Sequence, residues 1–202
     1  MDLRVRTEDK RQRIIAVAGD LFEELGYERA SMSLISERLG GSKTTLYGYF
    51  RSKEELLLAV LDVDIDTQVE ALMGLFIAPA SFRDGLADFG KSYLSRRLAP
   101  RPISFVRIVS SLGEKSDIPR TFYERTLSAA WMRLCRRFEE FMEEGRLRRA
   151  DPWVAAMHLK GLLEQDLFDR RLLGAVAAIE PATIERAAQD AADVFMRAYG
   201  PE

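Results

Sequence analysis

Residues 31–56, SMSLISERLGGSKTTLYGYFRSKEEL, hold the groups best placed for directed chemistry in this chain. Lys43, Thr44, Thr45, Tyr47 and Tyr49 crowd around Gly48. At about 100° per residue on a helix, Thr44 and Gly48 fall at the centre of one face, with Thr45 and Tyr47 beside them. Leu46 and Phe50 form an i,i+4 pair on the opposite side. The outer face therefore offers hydroxyls, a bare stretch of backbone and the long cation of Lys43. A lysine can donate to guanine acceptors, and a threonine can bond a base edge or meet a thymine methyl. Nucleic acid is the partner these groups suit. Catalysis has no comparable basis, because the sequence shows no nucleophile elbow, glycine-rich phosphate loop or acid–base pair. The chain is read as a non-enzyme.

Two short helices must hold that face. Met32, Ile35 and Leu39 recur at helical spacing and can bury one side of the first. Gly40-Gly41 ends it, since glycine costs about 1 kcal/mol against alanine inside a helix and takes up left-handed turns readily. Ser42 can cap the second helix, which then has the geometry of one laid in a major groove with its N-terminal residues toward the bases. Gly48 weakens that helix, and close approach of its backbone to the groove wall is one gain that offsets the loss. Ser52 and Glu55 have capping-box spacing for another helix start. Its free N–H groups and positive dipole end, with Lys53 beside them, suit a phosphate.

The run Arg13 to Ala18, Leu21 to Tyr27, Ser31, Ile35, Thr45-Leu46-Tyr47, Tyr49-Phe50, Ser52-Lys53-Glu54 and Leu56 closely resembles the TetR/AcrR family of bacterial transcriptional repressors. The resemblance covers roughly residues 10–60. A weaker one, to a C-terminal subgroup of the same family, rests on Pro119, Phe122-Tyr123, Gly145-Arg146-Leu147, Asp151-Pro152 and Ala155-Ala156. The first resemblance implies that Lys43 and Thr44 meet base edges and that Ser31, Thr45, Tyr47, Tyr49 and Lys53 meet phosphates; Ser33 could join either set and is counted with the base contacts. It also implies a homodimer joined through its last two helices, a palindromic double-stranded DNA operator, and a small-molecule inducer that releases it. Two positions depart from the pattern. Gly41 stands where a branched apolar residue is common, and Ser36 where alanine is common.

The composition allows a small domain fused to a larger one. Hydrophobic residues make up 47% and charged residues 31%, enough for a core and for solubility. Net charge is −2, so the field of the whole chain does not steer it to nucleic acid, and any basic footprint must come from local geometry. Arg4, Arg6, Lys10, Arg11 and Arg13 form a modest basic arm, either a solvated terminus or a contact to DNA. A single cysteine excludes an intramolecular disulfide. No secretory signal precedes the first helix, and the apolar run Ala71–Ala80 is far short of the ~18 residues of a membrane span. A cytoplasmic protein with no membrane partner is expected.

The 3.6-residue period recurs almost throughout and predicts an all-α fold of about nine helices. Residues 1–56 would form a three-helix, helix-turn-helix DNA-binding domain, and 57–202 a ligand-binding and dimerisation bundle. Beyond the head, helices are predicted at about 53–77, 81–98, 102–114, 118–144, 152–173 and 181–199. Aromatic and methionine side chains at Phe76, Phe89, Tyr93, Phe105, Trp131, Met132, Phe138, Trp153 and Met157 could line an apolar cavity, with Arg107 meeting an anionic group if it faces inward. The last helix is rich in small residues. Ala188, Ala191 and Phe195, with His158, Leu162 and Phe168, are the candidate subunit interface, and packing within one chain is the other reading. Asp62, Asp64 and Asp66 resemble the opening of a calcium loop, but Thr67 and Met73 stand where glycine and glutamate are required. No metal and no cofactor are expected. Cys135 reads as a small buried hydrophobe, with Arg136 and Arg137 keeping a redox role open. The rival reading of the whole chain is a helical small-molecule or protein-binding module that no longer engages an operator.

Overall fold

The computed structural model describes residues 3–75, 81–113 and 116–201. Among these residues the chain is helical, with no strand. The N-terminal helices are α1 (Leu3–Leu25), α2 (Met32–Leu39), α3 (Lys43–Tyr49) and α4 (Lys53–Gly74). Next come α5 (Phe82–Arg97), α6 (Pro100–Leu112) and α7 (Ile118–Phe122). A π-helical turn at Tyr123–Leu127 leads into α8 (Ser128–Glu143), followed by α9 (Pro152–Glu164), α10 (Leu167–Leu172) and α11 (Pro181–Tyr199). α1 begins at Leu3, so the backbone of the basic arm is already helical. The side chains of Arg4 and Arg6 lie outside the described set, as does Phe76.

The chain divides into two compact units, Met1–Asp64 with Arg107–Phe122, and Ile65–Val106 with Tyr123–Glu202. α4 and α6 each contribute to both. The first unit is built on Ile14, Ala18, Leu21 and Phe22 of α1, Ile35 of α2, Leu46 of α3 and Leu56 and Leu57 of α4, all nearly inaccessible to solvent. Gly26 ends α1 at φ 77°, a left-handed geometry glycine takes without penalty.

The second unit has one continuous core contributed chiefly by α5, α8, α9 and α11. α11 lies on α5 at very short range. A Cβ at Gly90 would stand 2.5 Å from Leu163 Cδ2 and 3.2 Å from Ala188 Cβ. The small residues of α11 make that approach possible.

Two predicted helices are broken. The stretch 118–144 is interrupted by the π-turn, where one extra residue per turn shifts the phase of the stripe. Tyr123 consequently faces solvent at 55% exposure while Thr126 is buried. The stretch 152–173 breaks at Gln165, whose φ of 42° is left-handed. Neither glycine nor proline marks that break. Past the break, Arg171, buried in α10, donates to the distant Leu98 carbonyl at 3.0 Å and to the nearby Val176 carbonyl at 3.1 Å.

Candidate nucleic-acid interface

Ser31 opens α2 by accepting the Leu34 N–H at 3.2 Å. A hydroxyl expected at a phosphate thus also caps a helix, a role worth about 1 kcal/mol. At the other end Gly40 adopts φ 66°, its N–H reaches Glu37 O at 3.0 Å, and the Gly41 N–H reaches Ser36 O at 3.2 Å. In this paired-bond ending the residues at the Ser36 and Gly41 positions ordinarily touch through apolar side chains. Here neither can. Instead the hydroxyl of Ser36, a residue only 4% exposed, donates to the Gly41 carbonyl at 2.9 Å. The two departures from the expected pattern compensate each other, a pairing that spacing alone did not reveal.

Ser42 caps α3 as its position predicts, accepting the Thr45 N–H at 3.1 Å, and its hydroxyl lies 3.0 Å from that of Thr45. Leu46 and Phe50 are buried beneath the helix. Above them Lys43, Thr44, Tyr47 and Gly48 are exposed, with Thr45 and Tyr49 partly so. Ser31 and Ser33 are exposed on the neighbouring α2. The residues of both expected sets on α2 and α3 are thus exposed or partly exposed, with Leu46 and Phe50 buried beneath α3.

The start of α4 is more constrained than its sequence suggests. Ser52 Oγ accepts the Glu55 N–H at 3.1 Å, while the Glu55 carboxylate accepts from the Arg51 N–H at 2.7 Å, one residue before the usual capping-box partner. Lys53 donates to the Tyr27 carbonyl at 2.8 Å and stands 4.0 Å from the centroid of its ring. An ammonium carries three donors, so this anchor fixes the cation and leaves others for a phosphate. Burial, reinforced by the Glu54 charge, holds the Tyr27 phenol well above its usual range, keeping it neutral. Hydrogen bonding from its own backbone N–H, then from Ser52, lowers the Glu54 carboxyl. Arg38 is occupied elsewhere, bonded through Nη1 to both carboxylate oxygens of Glu24 at 3.0 and 2.8 Å.

A profile of the tetR family of bacterial regulatory proteins matches residues 14–60. A second, of the C-terminal domain of AefR-like transcriptional repressors, matches residues 84–201, more than half of the chain. The chain belongs to the TetR family. Its fold matches that of a TetR-family regulator from Mesorhizobium loti MAFF303099, with a TM-score of 0.87 and 24% identity over 96% of this chain and 98% of that one. It is 30% identical to the flavonoid-responsive regulator FrrA, with a TM-score of 0.75 and coverage of 96% and 99%. The transcriptional activator FasR of Mycolicibacterium smegmatis is 38% identical over 69 residues, 34% of this chain and 32% of that protein. The chain thus spans about a third of the length of the curated relatives it matches. As a TetR-family member it is a DNA-binding transcriptional regulator and not an enzyme. No helix among the described residues is long and apolar enough to cross a membrane.

The second unit sorts the remaining candidates of this TetR-family chain. Phe89 and Tyr93 stack at 6.2 Å, and Trp131 meets Tyr93 edge-on at 5.5 Å. Trp153 and Met157 are partly buried against the same core, while Phe138 is fully inside it against Phe195. Phe105 is buried. Met132 and Arg107 face outward, against the expectation of an inward role. Met132 shares the exposed arc of α8 with Arg136, Glu139 and Glu140, and Arg107 falls in the first unit.

The interface candidates also need correction. Ala188, Ala191 and Phe195 are 1% exposed or less within this single chain, because α11 turns its small face toward α5. They have no surface left for another subunit. His158 is exposed, bonded through Nδ1 to the Tyr199 hydroxyl at 2.6 Å, and Leu162 and Phe168 are partly buried. Cys135 is buried, and burial followed by the Glu139 charge raises its thiol, disfavouring the reactive thiolate.

Sequence reasoning missed one polar cluster. Glu164, 7% exposed, accepts from Tyr93 Oη at 2.5 Å, Lys160 Nζ at 2.7 Å and Arg97 Nε at 3.3 Å. Burial pushes this carboxyl up, but the bonds from Lys160 and Tyr93 and the Arg97 charge outweigh it and leave it below the ordinary range. Only the i,i+4 spacing of Lys160 and Glu164 was visible beforehand.

Proposed function

We propose that this regulator is a ligand-responsive repressor that binds a palindromic operator as a homodimer and is released by a small-molecule inducer. The observation that carries the reading is the polar row of α3, exposed over a buried Leu46–Phe50 footing and flanked by the anchored Lys53. Lys43 and Thr44, with Ser33, read bases; Ser31, Thr45, Tyr47, Tyr49 and Lys53 hold phosphates, which fix register without specifying sequence. Residues 1–56 serve as the DNA-binding domain and 57–202 as the sensor and dimerisation domain, in the cytoplasm. The match to an AefR-like repressor domain supports repression, and the flavonoid-responsive FrrA supports a small-molecule trigger.

Two copies must place their α3 helices in successive major grooves, roughly 34–36 Å apart. The dimer face is the outward row of α9, Val154, His158 and Gly161, with Leu162 beside it and Val194 of α11. Ligand enters near Tyr93 and Trp131, where aromatic rings adjoin the Glu164 cluster. An inducer that prefers the conformation with misplaced heads lowers operator affinity by roughly 5–150-fold, as typical couplings of 1–3 kcal/mol allow. Selection from a random duplex pool tests the reading: a palindromic consensus with half-sites one turn apart is expected, and the absence of any selected sequence overturns it. Thermal-shift screening against a metabolite library then identifies the trigger, and purified protein that answers to no compound argues for ligand-independent control.

A further inference from the structure

Gly48 lies at the centre of the outward face of α3, one turn after Thr44 and between Tyr47 and Tyr49 in sequence. It is exposed, and a Cβ built there would meet no atom within 4 Å. Nor is it among the glycines held at positive φ. Packing and backbone geometry within the chain therefore do not require glycine. Helix propensity opposes it, because glycine is the least favourable helical residue after proline. What the missing side chain provides is space on the outside: a notch about one methyl deep, facing whatever α3 is laid against.

The chemistry of the notch narrows its occupant. Gly48 contributes no donor and no charge there, so a phosphate gains nothing from it. Thr44 adds a methyl one turn away on the same row. Among the groups exposed on base edges in the major groove, the apolar projection is the C5-methyl of thymine. We propose that Gly48, with the Thr44 methyl, seats a thymine C5-methyl, so that α3 reads one base of each half-site by shape as well as by hydrogen bonding. This rests on the DNA-binding reading of α3 and adds a specificity residue to it.

The test uses the full-length protein and the duplex it selects. Each thymine is replaced in turn by uracil, which removes only the methyl. Wild type is expected to lose about fourfold affinity at one thymine per half-site, the value of one buried methyl. Gly48→Ala is expected to fold, with a thermal midpoint no lower than wild type, to bind the thymine duplex at least fourfold more weakly, and to treat thymine and uracil alike at that position. Placing 5-methylcytosine for cytosine in an otherwise unfavourable half-site gives a second readout, in which wild type gains and Gly48→Ala does not. Unchanged affinity and base preference in Gly48→Ala, or a wild type indifferent to every uracil, overturns the notch while leaving DNA binding intact. A wild type that binds no duplex removes the reading beneath it.

Discussion

Ser36 and Gly41 show how two unusual residues acquire meaning only together. The hydrogen bond from the Ser36 hydroxyl to the Gly41 carbonyl stands in for an apolar contact across the end of α2. Ser36→Ala should cost about 1 kcal/mol of stability, with a matching drop in thermal midpoint, because a part-buried carbonyl loses its donor. The double change Ser36→Ala with Gly41→Val should recover most of that loss by restoring the apolar contact, for Gly41 has open space around its Cβ position and an ordinary φ. Additive losses in this double-mutant cycle would show the two residues to be independent. Lys53 holds the Tyr27 carbonyl and is proposed to hold a phosphate as well. Lys53→Ala should flatten the salt dependence of operator binding by about one unit and also soften the head, since the ammonium holds the Tyr27 carbonyl. Chemical denaturation of wild type and variant separates these effects.

The helices of the second unit are fixed by a few very close contacts. Gly90→Ala should destabilise the protein by roughly 1–3 kcal/mol, since the new methyl must displace Leu163 and press on Ala188. A midpoint unchanged from wild type would mean that α5 and α11 separate more easily than this geometry allows. The Glu164 cluster ties α5 to α9 and has a pH signature. Its carboxyl lies below the ordinary value in the folded state, so its contribution is full above the unfolded pKa of about 4.3 and fades as pH falls through the folded value. Glu164→Gln should be less stable than wild type at pH 7, because Arg97 and Lys160 lose their counter-charge, and the gap should narrow below about pH 4. Parallel stability curves across that range would contradict the assignment.

For the whole molecule the proposed homodimer turns on which surface a second copy would cover. The small-residue face of α11 is used within the chain, leaving Val154 of α9 and Val194 of α11, each 43% exposed, as apolar side chains of these two helices facing outward. Val154→Glu places a charge there while keeping a residue compatible with the first turns of a helix. It should leave helical content unchanged, lower the mass seen by light scattering at micromolar concentration from two chains to one, and weaken operator binding sharply. A variant that retains the mass of two chains places the interface elsewhere. One long helix, α4, contributes residues to both units, so the proposed coupling of ligand to DNA binding would act through it.

The exposed polar face of α3 was legible in the sequence because it depends on local rules: helical periodicity, caps at Ser42 and Ser52, and glycines that stop helices. Those rules act within a few residues and survive without knowledge of the rest of the chain. The all-α class was legible for the same reason. What the sequence left open was decided by long-range packing. Whether the alanines of α11 face another subunit or α5, whether Met132 turns inward, and where 152–173 breaks depend on partners tens of residues away. A periodic stripe says that a face is buried but not by what. Only the tertiary structure, which brings Gly90 against Ala188 and Glu164 against Tyr93, Arg97 and Lys160, supplies the other half of each contact.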